Sequence, residues 1–204
     1  LGQVVMVGIM GITSLHMNDY HHTRADIYSV ISWHTAGMFA PSIISGWLLE
    51  KWGRGRMILI GASSLFFACI FAPLSLDVLP IGFALFLLGL GWNFCFVGGS
   101  TLLSDQLSPL ERSRTQGTND LLVGLASAFI SLSSGIIFDA TSYTVMTLIA
   151  AALAFLVLGV TESPLAVGLV FVAATLPNLL FSPVAGVLVD RDRKSTRLNS
   201  SHRT

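Results

Sequence analysis

The sequence predicts an all-α, polytopic membrane protein with about six to seven transmembrane helices. Hydrophobic residues make up 53% of its 204 positions and charged residues only 11%, whereas soluble domains carry about 25% charged residues. The apolar residues gather into long segments, and the charges lie in the short stretches between them, as a bilayer requires. The 11 basic and 11 acidic residues cancel, so the charge balance predicts no nucleic-acid partner.

We expect each apolar segment to be a helix, because backbone in hydrocarbon must satisfy its own hydrogen bonds. The first is short for a span, and the chain begins inside it at Leu1, so we expect the N-terminus to be truncated. Glycine and proline inside the segments are expected to allow close helix approach and tolerated kinks. In order, the segments cover residues 1–17, 27–49, 57–76, 79–103, 121–138, 143–160 and 165–189.

Basic loops predict the orientation of these helices, since lysine and arginine favour the cytoplasmic side. Lys51, Arg54 and Arg56 follow the second segment, and Arg112 and Arg114 follow the fourth. Two spans separate the two loops. Both are therefore predicted to be cytoplasmic.

The loop after the second segment reads Gly46-Trp-Leu-Leu-Glu50-Lys51-Trp-Gly53-Arg54-Gly-Arg56. It resembles the signature loop of the major facilitator superfamily, Gly-x-x-x-Asp-Arg/Lys-x-Gly-Arg-Arg/Lys. Glutamate replaces the usual aspartate, and a glycine interrupts the basic run. In that family the loop is a latch for the outward-open state. The alternative is an ordinary basic cytoplasmic loop; the glycine-to-acid spacing favours the latch, and the resemblance assigns it to Gly46, Glu50, Lys51, Gly53, Arg54 and Arg56.

A partial second copy, Gly186-Val-Leu-Val-Asp190-Arg191, falls on the external side when spans are counted from Leu1. The conflict predicts two joined fragments, with a seam near residues 143–162, over a seven-span protein. Residues 1–160 resemble the C-terminal six-helix half of the twelve-helix family fold. Residues 161–191 resemble its second helix and signature loop, which adds Gly186, Asp190 and Arg191 to the latch. Residues 192–204 resemble a translated sequencing adaptor, a non-native polar tail; a natural cytoplasmic tail is the alternative.

The second segment contains Trp33 and His34, followed by Gly37 and Pro41. A histidine inside a span is costly unless it faces protein or water. His34 is therefore either a substrate-binding or proton-relay group, or a neutral ring bonded to a carbonyl of the next helix. The stretch resembles the second-half counterpart of a family helix that lines the central cavity, which makes Trp33 and His34 candidate cavity residues.

Asn93 in the fourth segment needs partners, because an unpaired amide in hydrocarbon is expensive. Both interhelical bonding and a cavity role remain open for it, and the neighbouring aromatic side chains are expected to pack. Gln116 and Asn119 precede the fifth segment and are further substrate candidates. At a helix start, however, capping by Asn119 or Asp120 is favoured.

No nucleotide loop, serine-nucleophile elbow or zinc spacing is present in the sequence, so we expect no enzyme, cofactor or metal. Cys69 and Cys95 are expected to be free thiols. The resemblance implies a secondary transporter of the bacterial inner membrane that moves a small molecule by alternating access, as proton-coupled efflux. Its partners would be the lipid bilayer and a missing N-terminal six-helix half. The alternative is a non-transporting structural or regulatory helical module.

Overall fold

The computed structural model describes residues 1–162, and every regular element in this part of the chain is an α-helix. The all-α fold class predicted from the sequence is confirmed. The two predicted C-terminal pieces lie outside the described residues, apart from positions 161 and 162. The helices are α1 Gly2–Asp19, α2 Arg24–Phe39, α3 Ser42–Trp52, α4 Arg54–Phe71, α5 Val78–Asp105, α6 Pro109–Ala140 and α7 Tyr143–Glu162.

A capping box starts α2. The Thr23 hydroxyl accepts from the Asp26 amide at 3.2 Å, and the Asp26 carboxylate accepts from the Thr23 amide at 3.0 Å. These reciprocal bonds satisfy backbone donors that a helix start otherwise leaves open. The second apolar segment therefore becomes helical three residues earlier than its first predicted position, 27.

The same segment is interrupted at Ala40 and Pro41, so that it forms α2 and α3 in succession. Proline has no N–H, so the carbonyl of Gly37 receives no helical bond from position 41. Both interrupting residues keep right-handed helical dihedrals. Together α2 and α3 reach from Arg24 to Trp52, which exceeds the ~20 residues needed to cross a bilayer.

α6 begins at Pro109, well before the predicted start at residue 121. Ser108 precedes it in extended conformation, and a proline at the first helical position is favourable because its missing N–H would be unpaired there anyway. The Ser108 hydroxyl donates to the Glu111 carboxylate at 2.6 Å. The expectation that Asn119 or Asp120 caps this helix is therefore wrong, because both lie inside it.

α5 is the centre of the packing. It packs most extensively against α4 on one side and α2 on the other, while α1 packs against α6 and α7. Most of the largest fully buried side chains lie on α1, α4 and α5, and include Ile9, Leu65, Ile81, Leu85 and Leu88. Among the described residues, α4, α5 and α6 are each long and apolar enough to cross a membrane.

Candidate functional site

Two glycines bring the backbones of α2 and α5 into contact. A Cβ atom at Gly37 would overlap the carbonyl oxygen of Phe86, and a Cβ at Gly89 would overlap that of His34. Glycine is therefore required on both helices at this crossing, as is usual where membrane helices approach closely. The crossing fixes the register of the polar side chains on either side of it.

His34 lies at this crossing and is fully buried. Its Nδ1 atom is 3.0 Å from the Leu85 carbonyl oxygen on α5. A carbonyl only accepts, so Nδ1 carries the proton in this bond. Nε2 is buried and finds no partner among the described residues. His34 thus joins two helices through a backbone carbonyl, and its second nitrogen is left to accept a proton.

Asn93 makes a second bridge, from α5 to both α2 and α3. Its Nδ2 donates to the Met38 carbonyl at 2.7 Å and to the Ser42 hydroxyl at 2.8 Å, and its Oδ1 accepts from the Ser45 hydroxyl at 2.7 Å. The Met38 carbonyl can only accept, which fixes the amide orientation. Only 2% of Asn93 is exposed, so the structure shows it bonded between helices.

The opposite face of α5 contacts α4 through a second pair of glycines. A Cβ atom at Gly61 would lie 2.9 Å from the Gly91 carbonyl oxygen, and one at Gly91 would lie 2.7 Å from that of Gly61. The Ser64 hydroxyl adds a bond to the Leu87 carbonyl at 2.9 Å. α5 is therefore held between two helices, and α2, α4 and α5 form a tightly packed unit.

At one end of the bundle, the loop that resembles the family signature lies between α3 and α4, and an ion pair joins it to the end of α5. Arg54 Nε donates to Asp105 Oδ2 at 2.8 Å, and the two side chains are 39% and 43% exposed. Arg54 opens α4 and Asp105 closes α5, so the ion pair joins the two helix ends. Arg112 and Asp105 line one cleft. Both basic loops thus lie at the same end, which we call the basic end.

The other predicted latch residues are less closely packed than the pair formed by Arg54 and Asp105. Gly53 has a backbone φ of 81°, in the left-handed region that residues other than glycine rarely adopt. The Lys51 ammonium lies 4.7 Å from the centre of the Trp47 ring. A Cβ atom at Gly46 would have open space, and Glu50 and Arg56 are exposed. The latch residues predicted near the C-terminus, Gly186, Asp190 and Arg191, lie outside the described residues.

Gln116 and Asn119 lie away from the His34–Asn93 region. Gln116 lines an open cleft of about 620 Å³ at the basic end, together with Thr101 of α5. Its Oε1 atom is buried without a partner in the described part of the chain. Thr101 follows Leu85 by about 24 Å along α5, given the helical rise of ~1.5 Å per residue. Asn119 Nδ2 contacts the carboxylate of the adjacent Asp120 at 3.4 Å.

Trp33 is half exposed and meets the Phe86 ring edge-on, with centroids 6.4 Å apart. The predicted candidates therefore form no single cavity among residues 1–162. His34 and Asn93 share one helix interface, Trp33 flanks it, and the other two lie at the basic end.

Sequence reasoning missed the partners of Asn93. Ser42 and Ser45 follow Pro41 at one and four positions, and both face α5. That spacing puts them on one helix face. A polar pair directly after an intramembrane proline was the available signal. Gln3 was missed as well; it accepts from Trp92 Nε1 at 2.5 Å and ties α1 to α5.

Comparison with known families decides the class of this bundle, since the profile of the Major Facilitator Superfamily matches residues 3–162. The chain belongs to the major facilitator superfamily. The family and the apolar helices make it an integral membrane protein, of a transporter family and not an enzyme family.

Curated relatives agree with this assignment. Two uncharacterised MFS-type transporters of Bacillus subtilis (strain 168), YdeG and YddS, are 37% and 36% identical to the chain over 163 and 164 residues. The riboflavin transporter RfnT of Brucella anthropi is 32% identical over 131 residues. These matches cover 78%, 78% and 64% of this chain.

The same matches cover only 38%, 37% and 33% of the relatives. The chain thus spans little more than a third of the length of the curated relatives it matches. No solved structure matches the chain at a significant level.

Proposed function

We propose that residues 1–160 form the C-terminal six-helix half of a secondary transporter that moves a small molecule across the bilayer by alternating access. In such a mechanism, two helical bundles rock against each other around a site near the bilayer midplane. Rocking requires each bundle to move as a body. The glycine contacts of α5 with α2 and α4 supply that rigidity here.

The exposure of α6 supports the need for a second bundle. Within the described residues, α6 buries only Ser134, although it is long and apolar enough to span a membrane. Its large side chains project outward, with Phe129 72% and Leu132 75% exposed. We propose that this helix meets the N-terminal six-helix half and the transport cavity, with lipid covering the rest.

The ion pair between Arg54 and Asp105 is the observation that carries the proposal. The pair joins an arginine of the signature loop to the last residue of α5. A contact at this position would allow the loop to restrict movement of the bundle. We propose that this pair, with the remaining signature residues, is the latch. Glu50 stays exposed, so its partner would come from the other half.

A charge exchange tests the latch. Arg54→Asp and Asp105→Arg should each lower the transport rate of the complete gene product by roughly tenfold, because each places like charges together. The double exchange should recover most of the rate. Ser104→Ala, next to Asp105, is the matched control and should leave the rate unchanged. Failure of the double exchange to restore any transport would refute a latch based on this pair.

The direction and the substrate of transport are proposed from two separate observations. We propose proton-coupled efflux in a bacterial inner membrane, with His34 as the proton-accepting group, because its Nε2 is buried and unpaired. The similarity to the riboflavin transporter favours riboflavin as a second substrate candidate. Everted vesicles of cells that express the complete gene product distinguish these, with an apolar cation dye and riboflavin as probes. Correctly inserted protein that transports no tested compound would favour a non-transporting helical module.

A further inference from the structure

The break between α2 and α3 removes helical hydrogen bonds in the middle of a membrane span. Ala40 N–H still bonds to the Ala36 carbonyl at 2.9 Å above the break, and Ser45 N–H bonds to the Pro41 carbonyl at 2.9 Å below it. Between them, Ile43 N–H reaches the Ala40 carbonyl only at 3.4 Å, in a three-residue turn. The backbone itself therefore couples the two helices weakly.

Asn93 bridges this weak point from the neighbouring helix. It bonds to the Met38 carbonyl above the break and to the Ser42 and Ser45 hydroxyls below it, with all three distances between 2.7 and 2.8 Å. One amide thus contacts both sides of the proline. Three of its four hydrogen-bonding positions are used, and only 2% of Asn93 is exposed.

Packing also fixes the position of Asn93 on α5. One turn before Asn93, Gly89 presses against the α2 backbone, and two residues before it, Gly91 presses against α4. α5 cannot slide or rotate without a collision on either side. The amide is therefore presented by a helix that the surrounding packing holds still.

We propose that Asn93 is a positioning residue that fastens the two halves of the broken helix to α5, so that α2 and α3 move as one body. The amide replaces the continuity that Pro41 removes. Without it, the break would be a free hinge inside the bundle. The angle between α2 and α3 would then vary, and movement at one end of the span would not be transmitted to the other.

Distances between spin labels on α2 and α3 test this directly. Tyr28→Cys and Trp47→Cys carry the labels, since both side chains are more than half exposed. They lie roughly 28 Å apart along a continuous helix. The free thiols Cys69 and Cys95 are replaced by alanine. The distance between the two labels is measured in lipid nanodiscs by pulsed electron paramagnetic resonance.

Asn93→Leu keeps the branching and the number of heavy atoms of the side chain and removes its hydrogen bonds. We expect the distance distribution to become roughly twofold broader, because the proline break is then unsupported. Adding Pro41→Ala to that variant restores a backbone donor, so the distribution should narrow again. Ser63→Ala on α4 is the matched control, because this hydroxyl bonds only to Leu59 of its own helix at 2.9 Å.

An unchanged width in Asn93→Leu would overturn the inference, as would a width that stays broad after Pro41→Ala is added. If Asn93→Leu does not yield folded protein, Ser45→Ala removes one of the two bonds below the break and should broaden the distribution less. An unchanged width in Ser45→Ala would then count against the inference.

The role in transport rests on the proposed function and has its own readout. Asn93→Leu should lower the maximal rate while leaving the KM unchanged, with Pro41→Ala recovering the rate. A merely structural loss would instead reduce the amount of folded protein and leave the rate per folded molecule unchanged. Absence of transport by the unmodified protein would refute the proposed function and leave the distance result standing.

Discussion

α5 and α6 are both long helices that carry several glycines, yet their surroundings are opposite. Gly89 and Gly91 of α5 press against the backbones of α2 and α4, whereas a Cβ atom at Gly117, Gly124 or Gly135 of α6 would have nothing within 4 Å. α5 buries residues along its length, and α6 buries only Ser134 within the described residues. The same residue type therefore serves packing inside the bundle in one helix and faces outward in the other.

The strongest test of this contrast is a pair of matched substitutions. Gly89→Ala should destabilise the bundle by about 3 kcal/mol, because the added methyl overlaps backbone atoms that cannot move aside. Gly124→Ala adds the same methyl where there is open space and should leave stability unchanged. Thermal unfolding followed by size-exclusion chromatography measures both. Equal stability of the two variants would show that the backbones of α2 and α5 can separate enough to accept a methyl group at position 89.

A larger side chain on α6 should lower transport without lowering stability. Gly124→Leu is expected to leave the melting temperature of the described bundle unchanged and to reduce transport by about tenfold, since the face would meet the second half of the transporter. Leu125→Ile, on the adjacent exposed position, is the control. If Gly124→Leu transports at the normal rate, then α6 faces lipid at that position and not a partner bundle.

A smaller effect is expected at the α2–α5 interface when only the proposed proton-accepting nitrogen of His34 is removed. His34→Asn keeps a side-chain N–H near the Leu85 carbonyl but has no second nitrogen to accept a proton. We expect substrate exchange to persist, and the dependence of transport on a pH gradient to be lost. Uptake into vesicles with and without a collapsed gradient measures this. Gradient dependence that survives in His34→Asn would exclude this residue as the coupling group.

The smallest effect is expected beside the C-terminal end of α6. The Tyr143 hydroxyl lies 2.9 Å from the Thr13 hydroxyl, and Thr13 also donates to the Ile9 carbonyl at 2.8 Å. Tyr143→Phe therefore removes one interhelical bond and should cost about 0.6 kcal/mol, with transport unaffected. Thr13→Val should cost about the same. A loss of several kcal/mol in either would mean that the α1–α7 contact contributes more than one bond.

Several features of the fold follow from composition and local chemistry, and so could be predicted. Backbone in hydrocarbon must satisfy its own hydrogen bonds, so the apolar segments of this chain are expected to be helices. The polar stretches between these segments indicate where the helices begin and end. The start of α6 could not be found this way, because the helix begins at Pro109, after Ser108 in extended conformation, while most of the next residues are still polar. Hydropathy therefore placed the boundary at the first apolar residue instead.

The role of Asn93 could not be settled from the sequence for a different reason. Its partners Ser42 and Ser45 are 51 and 48 positions away, and no local pattern shows which helices meet. Likewise, Gly89 and Gly124 are indistinguishable as residues, since only the neighbouring backbone decides whether a side chain would fit.

The most direct test of the proposal, a rigid helical unit within a transporter that moves, compares thiol accessibility on α5 and α6. Leu85→Cys lies in the buried interface, and Ser131→Cys lies on the exposed face of α6. In the complete gene product in oriented vesicles, a membrane-impermeant maleimide should modify position 131 at a rate that changes when substrate or a proton gradient is added. Position 85 should stay unmodified in every condition. Modification of position 85 that rises with substrate, or a rate at position 131 that never changes, would contradict the account.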